Sequence, residues 1–177
     1  MRKSIIAILM TFCLSIMTYA QTPRDRATEL KEQAQSSLNQ KDYIKARYLF
    51  KKAYEAFATR ENYPQAIECG VQANALYVRE NFYKEGFELC RDMDQLIWAG
   101  EQNQKKVFYD LRFLVNKERL QMYTALKNPA QAKTQLNKLE ETANLAKNDS
   151  LTEVLLYTKA NYYYTFNQNA QGDACFR

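Results

Sequence analysis

The sequence predicts an all-α protein, an α-solenoid built from stacked antiparallel helix hairpins. Three observations predict this fold class: apolar residues recur at helical spacing, turn-forming residues are scarce, and small residues return at long, nearly regular intervals. The chain has 177 residues but only 4 Gly and 3 Pro. So few leave little material for the tight turns of a many-stranded sheet. We therefore expect helix almost throughout residues 21–177.

Apolar residues set the helical faces. In the first two predicted helices they recur three or four residues apart, which places them on one side of each helix. The residues of the first face are Ala27, Leu30, Ala34 and Leu38, and those of the second are Tyr43, Ala46, Phe50, Ala53 and Phe57.

Prolines and capping residues mark where helices begin. Pro23, Pro64 and Pro129 each fit the first turn of a helix, where a missing N–H costs no hydrogen bond. Ser150 and Glu153 have the spacing of a capping box, which predicts another helix start. The predicted helices span residues 23–39, 42–58, 63–80, 83–98, 102–126, 129–147 and 151–167, with one more starting near 170.

A small residue recurs on the second helix of each predicted pair, where it lets two antiparallel helices approach closely. These residues are Ala46, Gly86, Ala132 and Gly172, so the intervals are 40, 46 and 40 residues. Of the other two glycines, Gly70 is expected at a close helix contact and Gly100 just past a helix end.

With these positions in place, the chain resembles the tetratricopeptide repeats. The resemblance covers residues 21–177 as three full helix pairs and one unfinished pair, at about 27–60, 63–100, 102–147 and 151–177. The chain departs from the family in its repeat length, which exceeds the family's roughly 34 residues, and in Asn74 and Leu120, which stand where small residues are usual. The residues that match best are Ala34, Ala46, Phe50 and Ala53 in the first repeat and Ala160, Tyr163, Gly172 and Phe176 in the last.

The N-terminus has the layout of a secretory signal peptide. Arg2 and Lys3 precede an apolar run over residues 5–17, and small residues precede a cleavage site after Ala20. We expect export, with a retained membrane anchor as the alternative; the periplasm of a Gram-negative bacterium as the destination is implied only by the resemblance to sensor-kinase repeat regions described below. Cys13 lies inside the apolar run without small residues before it, which disfavours a lipid-modified cysteine.

Charge and composition exclude several function classes. Lys and Arg number 25 against 20 Asp and Glu, and removing residues 1–20 leaves an excess of only three positive charges. Such a mild excess does not form a phosphate-binding stripe, so we expect no nucleic-acid partner. The chain has no His, which removes the commonest general base and metal ligand. We expect no catalytic residue, no metal site and no cofactor.

Three cysteines remain after the signal peptide: Cys69, Cys90 and Cys175. An odd number leaves at least one unpaired. We expect buried thiols, with a bridge between Cys69 and Cys90 as the alternative. The single tryptophan, Trp98, is expected in the core or at a hairpin-end contact.

The resemblance implies a concave groove, lined by the first helix of each pair, that grips an extended peptide or a partner helix. A subset of the family clamps a C-terminal carboxylate there. In this chain Gln35 and Gln72 replace the Asn residues of that clamp and Leu114 and Glu118 occupy its basic positions, so the clamp is absent. The implied groove residues are Lys31, Gln35, Asn39, Glu68, Ala75, Arg79, Lys117, Gln121, Tyr157, Asn161 and Tyr164.

The sequence therefore favours an exported scaffold that binds protein or peptide and carries no catalysis of its own. It also resembles the periplasmic front of bacterial membrane sensor kinases. On that interpretation the chain is part of a longer protein, with a membrane tether and a kinase beyond Arg177. The alternatives are a glycan-binding outer-membrane component and a stand-alone periplasmic assembly adaptor.

Overall fold

A computed structural model describes residues 25–177, and this part of the chain is helical apart from short joints, with no strand. The predicted signal peptide, Pro23 and Cys13 lie outside the described residues. The eight described helices are α1 (Arg26–Asn39), α2 (Tyr43–Thr59), α3 (Tyr63–Arg79), α4 (Tyr83–Gln104), α5 (Tyr109–Ala125), α6 (Pro129–Ala146), α7 (Asp149–Thr165) and α8 (Asn169–Ala174).

The helices stack as hairpins. Each described helix packs on the next in sequence, and α5 also packs on α3 and α7. The predicted all-α fold of stacked antiparallel hairpins is confirmed. Pro64 and Pro129 lie in the first turns of α3 and α6, as predicted.

Most joints between helices share one geometry. After α1, the amide of Asp42 donates to the carbonyl of Ser37 and that of Lys41 to Leu38, each at 2.9 Å. This pair of bonds is a Schellman motif, which closes a helix through a residue in the left-handed conformation. The same pair of bonds recurs after α2, α3, α5 and α7. The left-handed residues, including those of the two other joints, are Lys41, Glu61, Asn81, Lys105, Lys127, Lys147 and Asn167.

These left-handed residues give the period of the fold. They are 20 residues apart from Lys41 to Asn81 and again from Lys127 to Asn167. Between Asn81 and Lys105 the interval is 24, and between Lys105 and Lys127 it is 22. The single 46-residue interval in the sequence is therefore a regular unit of two helices with six residues added around α4 and its joint to α5.

The predicted boundary between α4 and α5 is wrong, because α4 continues six residues beyond 98 and α5 begins at Tyr109 instead of 102. Gly100 lies inside α4. A Cβ built there would lie 2.8 Å from the Phe108 ring and 2.9 Å from the Tyr63 ring. This glycine is required by close aromatic packing, not by a helix end.

Two helix starts also differ from prediction. The first described helix begins at Arg26, where the Asp25 carboxylate accepts from the amide of Ala27 at 3.0 Å. The start of α7 is capped by Asn148, whose side chain accepts from the amide of Ser150 at 3.0 Å. Ser150 is already helical, so the predicted capping box is not formed.

Two hydrophobic cores meet at α5. The first runs from α1 to α4 and takes in Leu111, Val115 and Met122 of α5. The second joins Phe113 and Leu120 of α5 to α6 and α7. The predicted close-contact residues Ala46, Gly86, Ala132 and Gly172 are all buried.

Candidate functional site

A groove of about 400 Å³ lies between α5 and α7. It is lined by Lys117 and Gln121 from α5 and by Tyr157 and Asn161 from α7. These four belong to the eleven groove residues that the resemblance implies from the sequence. They meet because α5 and α7 are the first helices of consecutive pairs and lie side by side.

The walls of this α5–α7 groove combine apolar surface with unused polar groups. Val154, which is 39% exposed, supplies aliphatic surface in the same groove as the ring of Tyr157, which is 62% exposed. The side chains of Gln121 and Asn161 are exposed and form no hydrogen bond within the described residues. Each carboxamide offers donors and an acceptor, so the two can bond to a ligand backbone without first breaking contacts in the protein.

One hydroxyl group of the groove is hidden from solvent. Thr124 lines the groove, and its buried Oγ1 has no hydrogen-bond partner. By contrast, the hydroxyls of Thr158 and Thr165 donate to carbonyls of their own helix. A buried hydroxyl without a partner costs free energy that a ligand could recover.

The other proposed residues do not line this groove. Lys31 of α1 donates to Glu68 of α3 at 2.7 Å and to Gln65 at 2.8 Å, which ties the two helices together. Gln35 donates to Asn39 along α1 at 3.1 Å.

Arg79 and Tyr164 are also engaged elsewhere. The Arg79 guanidinium lies 3.9 Å from the ring centroid of Tyr43. The ring of Tyr164 covers Gly172, and its hydroxyl donates to Asp173 at 2.7 Å. Tyr164 therefore joins α7 to α8 and does not line the α5–α7 groove.

Sequence reasoning missed a buried carboxyl beside the groove. Glu118 is only 2% exposed, and Asn74 of α3 donates to it at 3.0 Å. Burial raises the pKa of Glu118, although the Asn74 hydrogen bond and the charge of Lys117 oppose that rise. The Lys117 ammonium is 3.8 Å from the Glu118 carboxylate, so this groove cation has a buried neighbour of opposite charge.

A second missed carboxyl organises the joint between α4 and α5. Glu101 is buried and accepts from the Phe108 amide at 2.9 Å and from Nε of Arg112 at 2.7 Å. The Arg112 hydrogen bond is the main reason that the pKa of Glu101 is lowered. This carboxylate therefore fixes the one joint that departs from the regular spacing of the described helices.

Trp98 was expected in the core or at a hairpin-end contact, and the first of these positions is wrong. It is 63% exposed and lines a groove of about 470 Å³ formed by α4, α5 and α6. Single exposed hydrophobic residues are common on protein surfaces, but here the largest side chain of the chain lies against a concave site.

Cys69 and Cys90 are buried and unbridged, as expected of packed thiols. Burial raises their pKa to about 11 and about 12 respectively, so both thiols are protonated at neutral pH. Cys175 differs from the expectation: it is only partly buried and donates to the carbonyl of Gln171 at 3.3 Å.

Within residues 25–177, no helix is both long and apolar enough to cross a membrane. The same residues contain no group of three or more Cys, Asp or Glu side chains placed to hold a metal ion. Comparisons with protein families, curated proteins and solved structures find no match to this chain.

Proposed function

We propose that this chain is an exported helical-repeat scaffold of the tetratricopeptide type, which binds a protein partner through an extended peptide held in the α5–α7 groove. The observation that carries the proposal is the convergence of Lys117, Gln121, Tyr157 and Asn161 on one concave surface. These residues come from two helices 40 positions apart in the sequence.

The chemistry of the groove suits a peptide. An extended chain presents a backbone donor and acceptor at every residue, and Gln121 and Asn161 supply free carboxamides on opposite sides of the groove. The exposed ring of Tyr157 gives a large contact area with few rotatable bonds, which is why Tyr is favoured at interfaces. Val154, which is 39% exposed, provides an apolar surface for one side chain of the ligand.

The proposal can be tested with a random peptide library displayed on phage and selected on the purified protein. Synthetic versions of enriched peptides would be titrated by fluorescence anisotropy against wild type and against Tyr157→Ala and Gln121→Ala. We expect each substitution to weaken binding by about tenfold, as truncation of a central interface residue commonly does.

Tyr48→Ala is the matched control, because Tyr48 is 61% exposed on α2, away from the groove. Its affinity should equal that of wild type. Enriched peptides that bind Tyr157→Ala and Gln121→Ala as tightly as wild type would contradict the assignment to this groove.

The proposal extends to the setting of the domain. We infer that the chain is the extracytoplasmic part of a larger signalling protein in the periplasm. The signal-peptide pattern of residues 1–20 and the resemblance to sensor-kinase repeat regions support it. The test is the gene sequence after codon 177, which should encode a roughly 20-residue apolar helix followed by a cytoplasmic domain. A stop codon without such a helix would contradict it.

A further inference from the structure

The groove beside Trp98 lies on a different side of α5 from the α5–α7 groove. Helices α4 and α6 both pack on α5 but hardly touch each other, so a strip of α5 forms the floor between them. Arg112, Asn116 and Arg119 occupy this strip at intervals of four and three residues, one helical face. Its volume of about 470 Å³ falls in the range of small-ligand sites.

Each wall of this Trp98 groove adds one large exposed apolar side chain to the polar floor. The Trp98 ring forms part of the α4 wall, and Leu145, half exposed, lies on the α6 wall. Keeping an indole in water forgoes one of the largest hydrophobic gains that a side chain can make. An exposed aromatic ring above a polar floor is suited to a ligand that has one apolar face and a polar rim.

The floor is held in place by ion pairs. Arg119 donates to the carbonyl of Cys90 at 2.9 Å and pairs with Asp94. Arg112 is held by Glu101, and Asn116 donates to Thr142 at 3.4 Å. Because these side chains are fixed before a ligand arrives, binding does not have to order them.

The charges of the Trp98 groove balance. Three cations and two carboxylates line the groove, and a third carboxylate, Glu101, lies behind it and pairs with Arg112. The three positive and three negative charges cancel, so the site has no net charge to attract an ion. The side chains of Lys138 and Glu141 have no hydrogen bond or ion pair within the described residues, which leaves one free donor group and one free acceptor group on the same wall. The cations are Arg112, Arg119 and Lys138, and the carboxylates are Asp94, Glu101 and Glu141.

We propose that the Trp98 groove is a binding site for a neutral oligosaccharide. A pyranose ring has a face of polarised C–H groups that stacks on the electron-rich face of an indole. Its hydroxyls both donate and accept, which matches a lining of mixed donors and acceptors without net charge. A peptide helix would instead need an apolar floor, and α5 presents Arg112 and Asn116 there.

Tryptophan fluorescence provides a direct test, because Trp98 is the only tryptophan in the chain. The purified protein would be titrated with neutral tetrasaccharides (cellotetraose, maltotetraose, xylotetraose and chitotetraose), with tetragalacturonate as the anionic probe. We expect a saturable change in emission with at least one neutral sugar. Calorimetry on that sugar should show about tenfold weaker binding or worse for Trp98→Ala and near-native binding for Trp98→Phe, which keeps an aromatic face.

Tyr48→Ala and Tyr157→Ala are the controls, and both should bind the sugar like wild type. Tyr157→Ala also distinguishes this site from the α5–α7 groove, since this variant should lose affinity for the selected peptides while retaining its affinity for the sugar. The proposal is overturned if no neutral sugar gives a saturable response or if only tetragalacturonate binds. Loss of peptide binding in Trp98→Ala without any sugar binding would also overturn it and would assign the groove to a protein partner.

Discussion

The two hydrophobic cores differ in extent although they are built from the same helix-and-joint unit. In the described residues the first core contains 21 buried hydrophobic residues spread over α1 to α5, whereas the second contains eight, spread over α5 to α7. In a solenoid, stability accumulates from interfaces between neighbours. The comparison therefore implies that α6–α8 open at a lower free energy than α1–α4, and that the α5–α7 groove borders the less stable region.

The largest effects should come from placing a charge at the close helix contact of each region. Ala46→Arg and Ala132→Arg each force a guanidinium into a fully buried position, which costs about 3 kcal/mol or more. Hydrogen exchange followed by mass spectrometry should show α1–α2 unfolded in the first variant but only α6–α8 in the second. The exposed Lys51→Glu should leave both regions native, and equal effects of all three changes would contradict the assigned packing faces.

A smaller effect is expected at the joint between the regions. Glu101→Gln weakens the contacts to Arg112 and Phe108 and should lower the free energy of unfolding by about 1.5 kcal/mol at pH 7. Because the folded-state pKa of Glu101 is lowered, its contribution is present above the unfolded pKa near 4.5 and is lost as pH falls below that value.

Denaturant titrations between pH 3 and 7 would therefore show the difference between wild type and Glu101→Gln shrinking as the solution becomes more acidic. Glu88→Gln, at an exposed position of α4, is the control. A difference that stays constant with pH would mean that the Glu101 charge is not what stabilises the joint.

Glu118 should show the opposite pH dependence. Its pKa is raised mainly by burial, so the stabilisation is complete below the unfolded pKa and is lost as pH rises through the folded pKa. Glu118→Gln keeps an acceptor for Asn74 without a buried charge, and we expect it to raise the free energy of unfolding at pH 7 by about 1 kcal/mol. Destabilisation by this change at pH 7 would show instead that the negative charge of Glu118 stabilises the fold through its ion pair with Lys117.

The smallest effects are expected at the joints. Lys41 and Lys127 hold left-handed backbone conformations, at φ of 62° and 53°, which glycine adopts without a Cβ clash. Lys41→Gly and Lys127→Gly should each stabilise the protein by about 0.5 kcal/mol, measured as a higher denaturation midpoint. Lys45→Gly, inside α2, should do the reverse.

Much of the fold could be predicted because helix signals are local. A proline in the first turn and a small residue at a helix contact depend on neighbours a few positions away, so Pro64, Pro129 and Ala46 are correctly placed. Gly100 was misinterpreted because its role depends on Tyr63, 37 positions earlier, and on Phe108. A glycine has the same sequence signature whether it ends a helix or admits a ring.

The site was harder to predict than the fold for the same reason. The resemblance to the tetratricopeptide repeats implied Lys117, Gln121, Tyr157 and Asn161 as groove residues, and in the structure these four line one groove. The burial of Glu118 and the exposure of Trp98 are opposite to what their residue types predict, since a carboxylate is usually exposed and an indole is usually buried. Only the path of neighbouring helices, with Asn74 beside the former and an open groove beside the latter, explains their positions.

Helix α5 supplies residues to both cores, with Val115 and Met122 on one side and Phe113 and Leu120 on the other. It also forms a wall of the α5–α7 groove and the floor of the Trp98 groove. A ligand that binds only the folded state shifts the equilibrium away from every conformation in which that helix is detached. Occupancy of either groove should consequently slow amide exchange in α3, which lines neither groove but packs on α5. In this way a single helix would transmit a binding event along the solenoid without a change of shape.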